Sequence, residues 1–509
     1  MSTAPASSPQ AAPAPAKLMP RIGLVSAFII LLAIVCMPPI AGLPQSGQMM
    51  LGILAFAVIV WMTEALDYAV SALLIGALMI GLLAISPAPG KDGAEAVMMG
   101  TKAALPYALG GFSNSAVVLV AAACFIAAAM TATRLDQRIA LQVLSYVPAR
   151  ANHVVMGAML VGFLLSFIVP SATARVACLM PIMLGFLTAF GADRRSKFAA
   201  LVVITAAQTA SVWNVGIKTS AAQNMVAIGF IEKQFGETIT WGEWFVAGAP
   251  FSACLSVALY FIMTRMLKPE MDHIAGGREA VRQQLLALGE MTLNQWKLLV
   301  ITLVLLGFWA TEGVLHNVDT TSSTIVAIAL MLMPRIGVMT WKESQKGFPW
   351  GTVVLFSVGI AMGSALLKTQ AAPWLAKLIV ENLGLVNASA FAILMLLSLF
   401  LIVIHLGFAS ATALASTMIP IVISVLQAVE TPGINPIGMT MLLQFVVSFG
   451  FILPVNSPQG MLAYGTDTFT IKDYVRTGFV ITIAATVLLV IFALTYWPMM
   501  GYMTLPTGN

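Results

Sequence analysis

The stretch SATARVACLMPI, residues 171–182, recurs as SATALASTMIPI, residues 410–421. The two copies begin with the same four residues, lie 239 residues apart and have a Pro-Ile pair at the same later spacing. A second motif accompanies the first, because WMTE at residues 61–64 recurs as WATE at residues 309–312, 248 residues later. Two polar motifs repeated in the same order indicate that the chain arose by duplication. In a membrane protein, polar motifs on apolar segments mark a binding site between the halves.

The composition identifies a polytopic, all-α membrane protein. Of the 509 residues, 60% are hydrophobic and 9% are charged, whereas a soluble domain has about a quarter charged residues. The net charge of +5 follows the membrane topology and forms no basic patch, so the lipid bilayer is an expected partner and nucleic acid is not. The cysteines all lie inside apolar runs without a CxxC motif, which predicts neither a disulfide nor a metal site; they are Cys36, Cys124, Cys178 and Cys254.

Apolar runs near the roughly twenty residues needed to cross a bilayer predict about eleven crossings. These are 21–42, 48–65, 68–86, 114–133, 197–231 (interrupted), 246–264, 297–313, 321–334, 351–370, 437–464 (interrupted) and 475–498. Two further apolar pairs, 152–190 and 388–428, have the Ser-Ala-Thr copies at their midpoints. The turn at residues 167–173 has no charged loop, which favours re-entrant hairpins over pairs of full spans. Such a turn is tolerated at membrane depth only if it is buried in protein or lines a cavity.

The distribution of basic residues predicts the orientation. Eleven crossings place eighteen Lys and Arg residues on one side and five on the other, with Arg175 and Lys218 inside apolar segments. By the positive-inside rule, the N-terminus is cytoplasmic and the C-terminus is outside, and we expect a bacterial inner (plasma) membrane. The odd number of crossings inverts the second half relative to the first, as an inverted repeat requires.

Two segments lie outside this core. Residues 1–20 form a Pro/Ala/Ser-rich tail that we expect to be disordered. Residues 268–296 form a charged cytoplasmic linker between the repeats, with an amphipathic helix predicted around Arg278–Leu288.

Each Ser-Ala-Thr tip precedes a new apolar helical run. Serine and threonine are preferred N-caps, and the helix that follows presents free N–H groups and a positive dipole end. Two such helix starts, brought together from inverted repeats, would bind an anion such as a carboxylate. We therefore predict Ser171, Thr173, Ser410 and Thr412 as substrate ligands; the alternative is that they only cap buried helices.

Arg175 lies in the first turn after the first tip, where a cation opposes the helix dipole. A charge inside an apolar segment costs about 2.5–3.5 kcal/mol on insertion scales, and a bound anion would relieve both penalties. We predict a substrate-facing role for Arg175, with a structural pair to a buried carboxylate such as Glu64 as the alternative.

Two polar stretches interrupt apolar segments, one in each half. They are WNVGIKTS, residues 213–220, and PVNSPQG, residues 454–460. The freed backbone groups and hydroxyls of such breaks can line a cavity. Candidate ligands here are Lys218, Thr219, Asn224, Asn456 and Ser457, with helix packing equally open for Asn224. His405, five residues before Ser410, is a further candidate; a satisfied core histidine is its alternative.

The chain resembles the divalent anion:sodium symporter family of di- and tricarboxylate carriers over nearly all of its length after residue 45. Family members have a Ser-Asn-Thr motif at each of two hairpin tips, and Ser171-Ala172-Thr173 and Ser410-Ala411-Thr412 take those places. LPVNSP, residues 453–458, is similar to the C-terminal signature of the family. PSATAR, residues 170–175, and FASATA, residues 408–413, together with His405, resemble the citrate and dicarboxylate exchanger branch.

The resemblance implies a homodimeric secondary carrier of the elevator type. Segments 21–133 and 297–370 would form a static scaffold, and segments 152–264 and 388–498 would carry the substrate, a di- or tricarboxylate such as succinate, malate or citrate. No cofactor is implied other than coupling sodium ions, whose sites would lie near Ser171 and Ser410.

The departures from the family pattern point to exchange. Ala172 and Ala411 replace the tip asparagines, and Gly460 stands where many relatives have asparagine, so amides that surround sodium in family symporters are missing. Fixed positive charge at Arg175, Lys218 and His405 would penalise the return of an empty carrier and favour anion exchange. Sodium symport of the same anions is the alternative; an anion channel and an intramembrane hydrolase using Ser171 or Ser410 are more distant ones, and we expect no enzyme.

Overall fold

The computed structural model describes residues 18–89, 97–148, 150–189, 192–270, 277–346, 348–429, 431 and 434–503. Of the predicted tail, residues 1–20, the first 17 lie outside the described residues, and residues 18–20 belong to α1 instead. The helices of the first half are α1 (Leu18–Cys36), α2 (Gln45–Met62), α3 (Tyr68–Ala84), α4 (Gly100–Leu109), α5 (Ser115–Thr133), α6 (Leu135–Ser145), α7 (Ala151–Ile168), α8 (Ala172–Ala189), α9 (Lys197–Gly216), α10 (Ala222–Phe235), α11 (Trp241–Met266) and α12 (Gly277–Ala287).

The second half follows the same plan. Its helices are α13 (Leu293–Thr311), α14 (Thr320–Leu332), α15 (Trp341–Ser344), α16 (Trp350–Lys368), α17 (Ala371–Asn382), α18 (Ala390–His405), α19 (Ala411–Ala428), α20 (Pro436–Val447), α21 (Pro458–Tyr464), α22 (Ile471–Leu494) and α23 (Tyr496–Met499). Within the described ranges there is no β-strand, only isolated bridges such as that between Pro87 and Met98. The all-α prediction is therefore confirmed.

The predicted crossings correspond to observed helices whose ends differ by a few residues. Nine helices of the described part are long and apolar enough to cross a membrane. Seven of them lie at predicted crossings, and the shorter apolar helices α1, α3, α14 and α20 occupy the other four. The remaining two, α7 and α19, belong to the segments predicted as re-entrant hairpins. α11 begins at Trp241 rather than 246, because the side chain of Thr240 caps it and Glu243 completes a capping box.

Two helices that the apolar runs did not predict occur at matching places in the two halves. α6 and α17 each follow a long apolar helix after one residue in the left-handed conformation, Arg134 (φ 56°) and Gln370 (φ 64°). Each of these residues turns the chain sharply at the end of its apolar helix, α5 or α16. The same device thus occurs at the same place in both halves.

The tryptophans of the repeated WxTE motif have a structural role in both halves. Trp61 Nε1 donates to Ser71 Oγ at 2.9 Å and joins α2 to α3. Trp309 Nε1 donates to Thr324 Oγ1 at 3.2 Å and joins α13 to α14. The repeated motif therefore fastens each helix to the next.

Two helical hairpins and two broken helices form the centre of the fold. α7 and α8 meet at the first tip, residues 169–173, and α18 and α19 meet at the second tip, residues 406–412. α9 is buried over nearly its whole length and stops at Gly216; one 3₁₀ turn, Lys218–Ser220, separates it from α10. The second break has the turn Pro454–Asn456 between α20 and α21.

Candidate functional site

A cavity of about 830 Å³ lies between the first tip, the two breaks and a face of α5. Its polar lining comprises Ser171 and Thr173 from the first tip, Thr219 from the first break, and Thr131 and Thr352 from surrounding helices. Pro458 contributes the start of α21. Glu343 and Lys346, both exposed, stand at the end of the cavity where α5 ends.

The α5 face of this cavity was not predicted. Leu119 and Val120 line the part nearest the start of α5, and the rest is made of small side chains that leave room beside the first tip, namely Ala123, Cys124, Ala127, Ala128, Thr131 and Ala132. The signal was available in the sequence as an alanine-rich face of an apolar helix. Periodicity alone does not distinguish such a face from a helix-packing surface.

The N-terminus of α8, at the first tip, borders the cavity. Ser171 Oγ accepts the backbone N–H of Ala174 at 3.3 Å, so the serine is the N-cap of α8. Ser171 and Thr173 are half-buried and both line the cavity. A helix N-terminus with two hydroxyls beside it presents donors to an anion without adding charge.

Thr219 is the part of the first break that contacts the cavity. Its Oγ1 accepts Trp241 Nε1 at 3.2 Å, so the hydroxyl proton is available to donate to a ligand. Its neighbours Ala221 and Ala222, at the start of α10, also line the cavity. Two helix starts from the first repeat, those of α8 and α10, therefore flank the same space.

Arg175 is fully buried and does not line the cavity. Its Nη1 donates to the carbonyls of Val169 and Ser220, both at 2.9 Å. Its Nη2 donates to the carbonyl of Ala210 at 3.1 Å and to Asn214 Oδ1 at 2.7 Å. The guanidinium thus binds four oxygen atoms that join the first tip to the first break.

The alternative partner considered for Arg175 is corrected by the structure. Glu64 is exposed, with a positive φ of 47°, and makes no ion pair. Within the described residues the ion pairs are Arg195–Asp467 and Lys377–Glu381. Carbonyl and amide oxygens, rather than a carboxylate, compensate the buried guanidinium.

Lys218 and Asn224 also turn away from the cavity lining. Lys218 Nζ donates to the Ile239 carbonyl at 2.7 Å and to Thr320 Oγ1 at 3.4 Å. Asn224 Nδ2 donates to the carbonyl of Asn214 at 2.7 Å and to those of Ile217 and Lys218, both at 3.3 Å. Asn224 therefore closes the first break by bonding the carbonyls that the interruption frees.

Asn456 performs the equivalent task in the second half. Its Nδ2 donates to the carbonyl of His405 at 2.7 Å and to that of Phe408 at 3.0 Å. His405 is buried, and its Nε2 lies 3.4 Å from the Asn456 carbonyl. The second tip is thus fastened to the second break, as Arg175 fastens the first.

The second tip and the first tip do not share the cavity. Ser410 caps α19 by accepting the N–H of Ala413 at 3.3 Å, and Ser457 caps α21 by accepting that of Gly460 at 3.2 Å. Ser410, Thr412 and Ser457 are absent from the lining of this cavity. Ser171 and Ser410 are N-caps at equivalent places in the two tips, but only Ser171 borders the space described here.

Gly460 has a physical reason to be glycine. A Cβ there would lie 2.6 Å from the Pro454 carbonyl oxygen and 2.9 Å from both Ser457 Oγ and Tyr474 Oη. An asparagine would not fit without a shift of the backbone. Among the described residues no group of three or more His, Cys, Asp or Glu side chains could hold a metal ion.

Comparison with known proteins is consistent across sequence and structure. Residues 19–503 match the family described as "Sodium:sulfate symporter transmembrane region". A "Membrane protein" of Cupriavidus necator is 50% identical, over 96% of this chain and 94% of that protein.

More distant relatives have functional names. A "Citrate/succinate antiporter" of Escherichia coli is 25% identical over 81% of this chain and 84% of its own length. A "Sodium-dependent dicarboxylate transporter SdcS" of Staphylococcus saprophyticus is 24% identical over 75% of this chain and 76% of its own length. The crystal structure of the YdaH transporter of Alcanivorax borkumensis has a TM-score of 0.56 at 16% identity, covering 84% of this chain and 98% of that one.

Proposed function

This chain belongs to the sodium:sulfate symporter transmembrane family, and we propose that it is a secondary carrier that exchanges di- and tricarboxylate anions across the membrane. The name of the Escherichia coli relative supports this substrate class and this mode. We propose a bacterial inner membrane, with a cytoplasmic N-terminus and an external C-terminus, from the distribution of basic residues.

The cavity supports the substrate class. Its volume of about 830 Å³ exceeds the size of a small carboxylate. The start of α8 with Ser171 and Thr173, the start of α10 and the Thr219 hydroxyl all offer donors to a carboxylate. Small side chains on α5 form the opposite wall, so the anion would be held by the hairpin and break and bounded by α5.

The coordination of Arg175 is the observation that carries exchange over sodium symport. Four oxygen atoms surround its guanidinium between the first tip and the first break. Oxygen atoms in such a group are also the ligands that a metal cation takes. A cation attached to the chain cannot dissociate on one side of the membrane, so it cannot couple transport to a cation gradient. The Lys218 amine has two oxygen partners and the His405 ring has one, so Arg175 is the main support for a fixed charge.

An elevator movement in a homodimer follows from the family resemblance. In this proposal, segments 152–264 and 388–498 move against the scaffold segments 21–133 and 297–370. The cavity lies at the boundary between the two sets, because α5 and residues 343–352 face the first tip across it. A movement along this boundary would carry the tip and its ligand past α5.

Sodium symport of the same anions is the second candidate function. The family description and the sodium-dependent Staphylococcus relative favour it. Under this alternative the hydroxyls near Ser171 and Ser410 would contribute ligands to sodium. An anion channel is less favoured, since the cavity lining is exposed at Thr131, near the end of α5, and buried at Leu119, toward its start.

Counterflow in proteoliposomes tests the proposal. Vesicles preloaded with succinate, malate or citrate should take up labelled substrate severalfold faster than empty vesicles, with little dependence on sodium, because the loaded carrier returns more readily than the empty one. Empty vesicles that accumulate substrate only under an inward sodium gradient would replace exchange with symport. Flux that neither saturates nor shows counterflow would indicate a channel.

A further inference from the structure

Lys218 points away from the cavity and crosses from one repeat to the other. It is 5% exposed and directly precedes Thr219, which lines the cavity. Its Nζ donates to the carbonyl of Ile239, in the loop before α11, and to Thr320 Oγ1 at the start of α14. The amine therefore joins the ligand-facing break of the first repeat to a helix of the second.

Glu312 completes the contact. Thr320 Oγ1 donates to Glu312 Oε2, and the backbone N–H of Thr320 donates to Glu312 Oε1 at 3.2 Å. Because the threonine hydroxyl gives its proton to the carboxylate, its lone pairs remain for the lysine amine. The backbone N–H of Trp241, which begins α11, reaches the same carboxylate at 3.4 Å. Lys218, Thr320 and Glu312 form a connected bridge, called the Lys218 bridge below.

The Lys218 bridge lies at the membrane face opposite the cavity mouth. The cavity extends to Thr131 and Ala132, at the end of α5. The start of α13 is on that same side, since Gln295 Nε2 donates to the Thr133 carbonyl at 2.8 Å. α13 then runs through residue 311, so Glu312 stands at the far face. The cavity opens at one face while the bridge joins the repeats at the other.

We propose that the Lys218 bridge is a positioning device that holds the break in the orientation seen here, with the cavity open at the Lys346 end. This inference rests on the proposed function, in which the segment carrying Lys218 moves against the scaffold that carries Thr320. Such a movement separates the Lys218 amine from Thr320, so the bridge exists in one orientation and is lost in the other. A contact made in only one of two states shifts the equilibrium toward that state.

The first test uses the cavity cysteine as a reporter and needs no substrate. Cys124 lines the cavity, so a polar maleimide reaches it from the mouth. In a background with Cys36, Cys178 and Cys254 changed to alanine, Thr320→Val should slow Cys124 labelling several-fold, since the cavity is open for a smaller fraction of the time. Thr321→Val, the adjacent position of α14, is the matched control and should label like the background protein.

The second test separates the two membrane faces. Loss of one hydrogen bond to a charged group corresponds to roughly a tenfold change in an equilibrium, and the apparent affinity at each face scales with the fraction of carrier open there. Thr320→Val should therefore lower the KM at the Glu312 face by about three- to tenfold and raise it at the Lys346 face. Glu312→Gln should change both in the same directions, since it weakens the acceptor that orients Thr320.

The outcomes distinguish this inference from the proposed function. Unchanged Cys124 labelling together with unchanged KM at both faces in Thr320→Val would overturn the Lys218 bridge. A KM that rises equally at both faces would also overturn it, because that indicates general damage to the site. If the parent protein transports no carboxylate, the proposed function fails, and the labelling comparison still decides the bridge.

Discussion

At the residue scale, Ser171 combines two tasks that are separable by experiment. Its Oγ caps α8, and the same side chain borders the cavity. Loss of an N-cap costs about 0.5–2 kcal/mol of stability, whereas loss of a hydrogen bond to a charged ligand costs about 1.5–3 kcal/mol of binding. The loss of the cap is measured as a change in stability, and the loss of the hydrogen bond to the ligand is measured as a change in KM.

Ser171→Ala should raise the KM for a dicarboxylate by roughly ten- to a hundredfold, at about 1.4 kcal/mol per tenfold change. The control is Ser389→Ala, since Ser389 caps α18 in the same way, with Ala392 N–H at 3.2 Å, and is not part of the cavity lining. Both variants should lose a similar, small amount of thermal stability, and only the first should lose affinity. Equal transport in the two variants would leave Ser171 as a cap alone.

The outcome at Thr412 separates two arrangements of the second tip. Thr412 does not border the cavity seen here, although the motif repeat predicted it as a ligand. If the second tip approaches the substrate in another orientation of the carrier, Thr412→Ala should weaken transport as Ser171→Ala does. The assignment of Ser410 and Thr412 to the substrate site stays a proposal.

At the element scale, each half attaches its hairpin tip to its broken helix through one polar side chain. Arg175 bonds the first tip to residues 210–220, and Asn456 bonds the second tip through the carbonyls of His405 and Phe408. Both contacts satisfy backbone carbonyls at membrane depth, where an unpaired one costs several kcal/mol. The attachments join each tip to its break.

Arg175→Ala should lower the melting temperature, because buried carbonyl acceptors lose their donors at about 1–3 kcal/mol each. If the guanidinium takes the place of a cation, sodium should restore part of the lost stability, whereas choline at the same ionic strength should not. Melting curves in sodium chloride and choline chloride measure this. Arg195→Ala is the control, since Arg195 is exposed and pairs with Asp467 at 2.8 Å.

Two results would count against this account of Arg175. A variant as stable as the parent would show that the four hydrogen bonds contribute little. A variant stabilised equally by both salts would show that no cation occupies the space. Loss of exchange in a folded, sodium-responsive variant would support the fixed charge as the basis of exchange.

At the scale of the whole molecule, the cavity mouth has one charge of each sign. Glu343 caps α15 with Thr340, whose backbone N–H and hydroxyl both donate to its carboxylate. These hydrogen bonds from Thr340 hold the pKa of Glu343 below its ordinary value, so the group stays negative at neutral pH. The positive charge of Lys346 therefore offsets the negative charge of Glu343 at the cavity mouth, where anions would enter.

Lys346→Glu should raise the KM for citrate more than that for succinate, about three- to tenfold at low salt, when substrate enters from the mouth. A mouth of negative potential repels the more highly charged anion more strongly, and salt screens the effect within a Debye length of about 8 Å at physiological ionic strength. Lys342→Glu, on α15 shortly before Lys346 but outside the cavity lining, is the control. A shift of the same size in both variants, or one that persists at high salt, would contradict a local effect at the mouth.

The sequence determined the architecture of this protein. Apolar runs located the apolar helices to within a few residues, and the repeated Ser-Ala-Thr motif located both hairpin tips, because a serine before a helical run is a preferred N-cap. The interruptions at residues 213–220 and 454–460 located both breaks. These features depend on residues close together in the chain, and a duplicated sequence presents each of them twice.

Only the tertiary structure decided which polar side chains face the cavity. The side chains of Arg175, Lys218, Asn224 and Asn456 are all buried, yet their donors bond oxygen atoms of the protein itself. A buried charge requires a partner, and the sequence specifies that requirement without specifying whether a ligand or the protein meets it. For Arg175 the partners are Val169, Ala210, Asn214 and Ser220, and their convergence exists only once the first hairpin has packed against the broken helix.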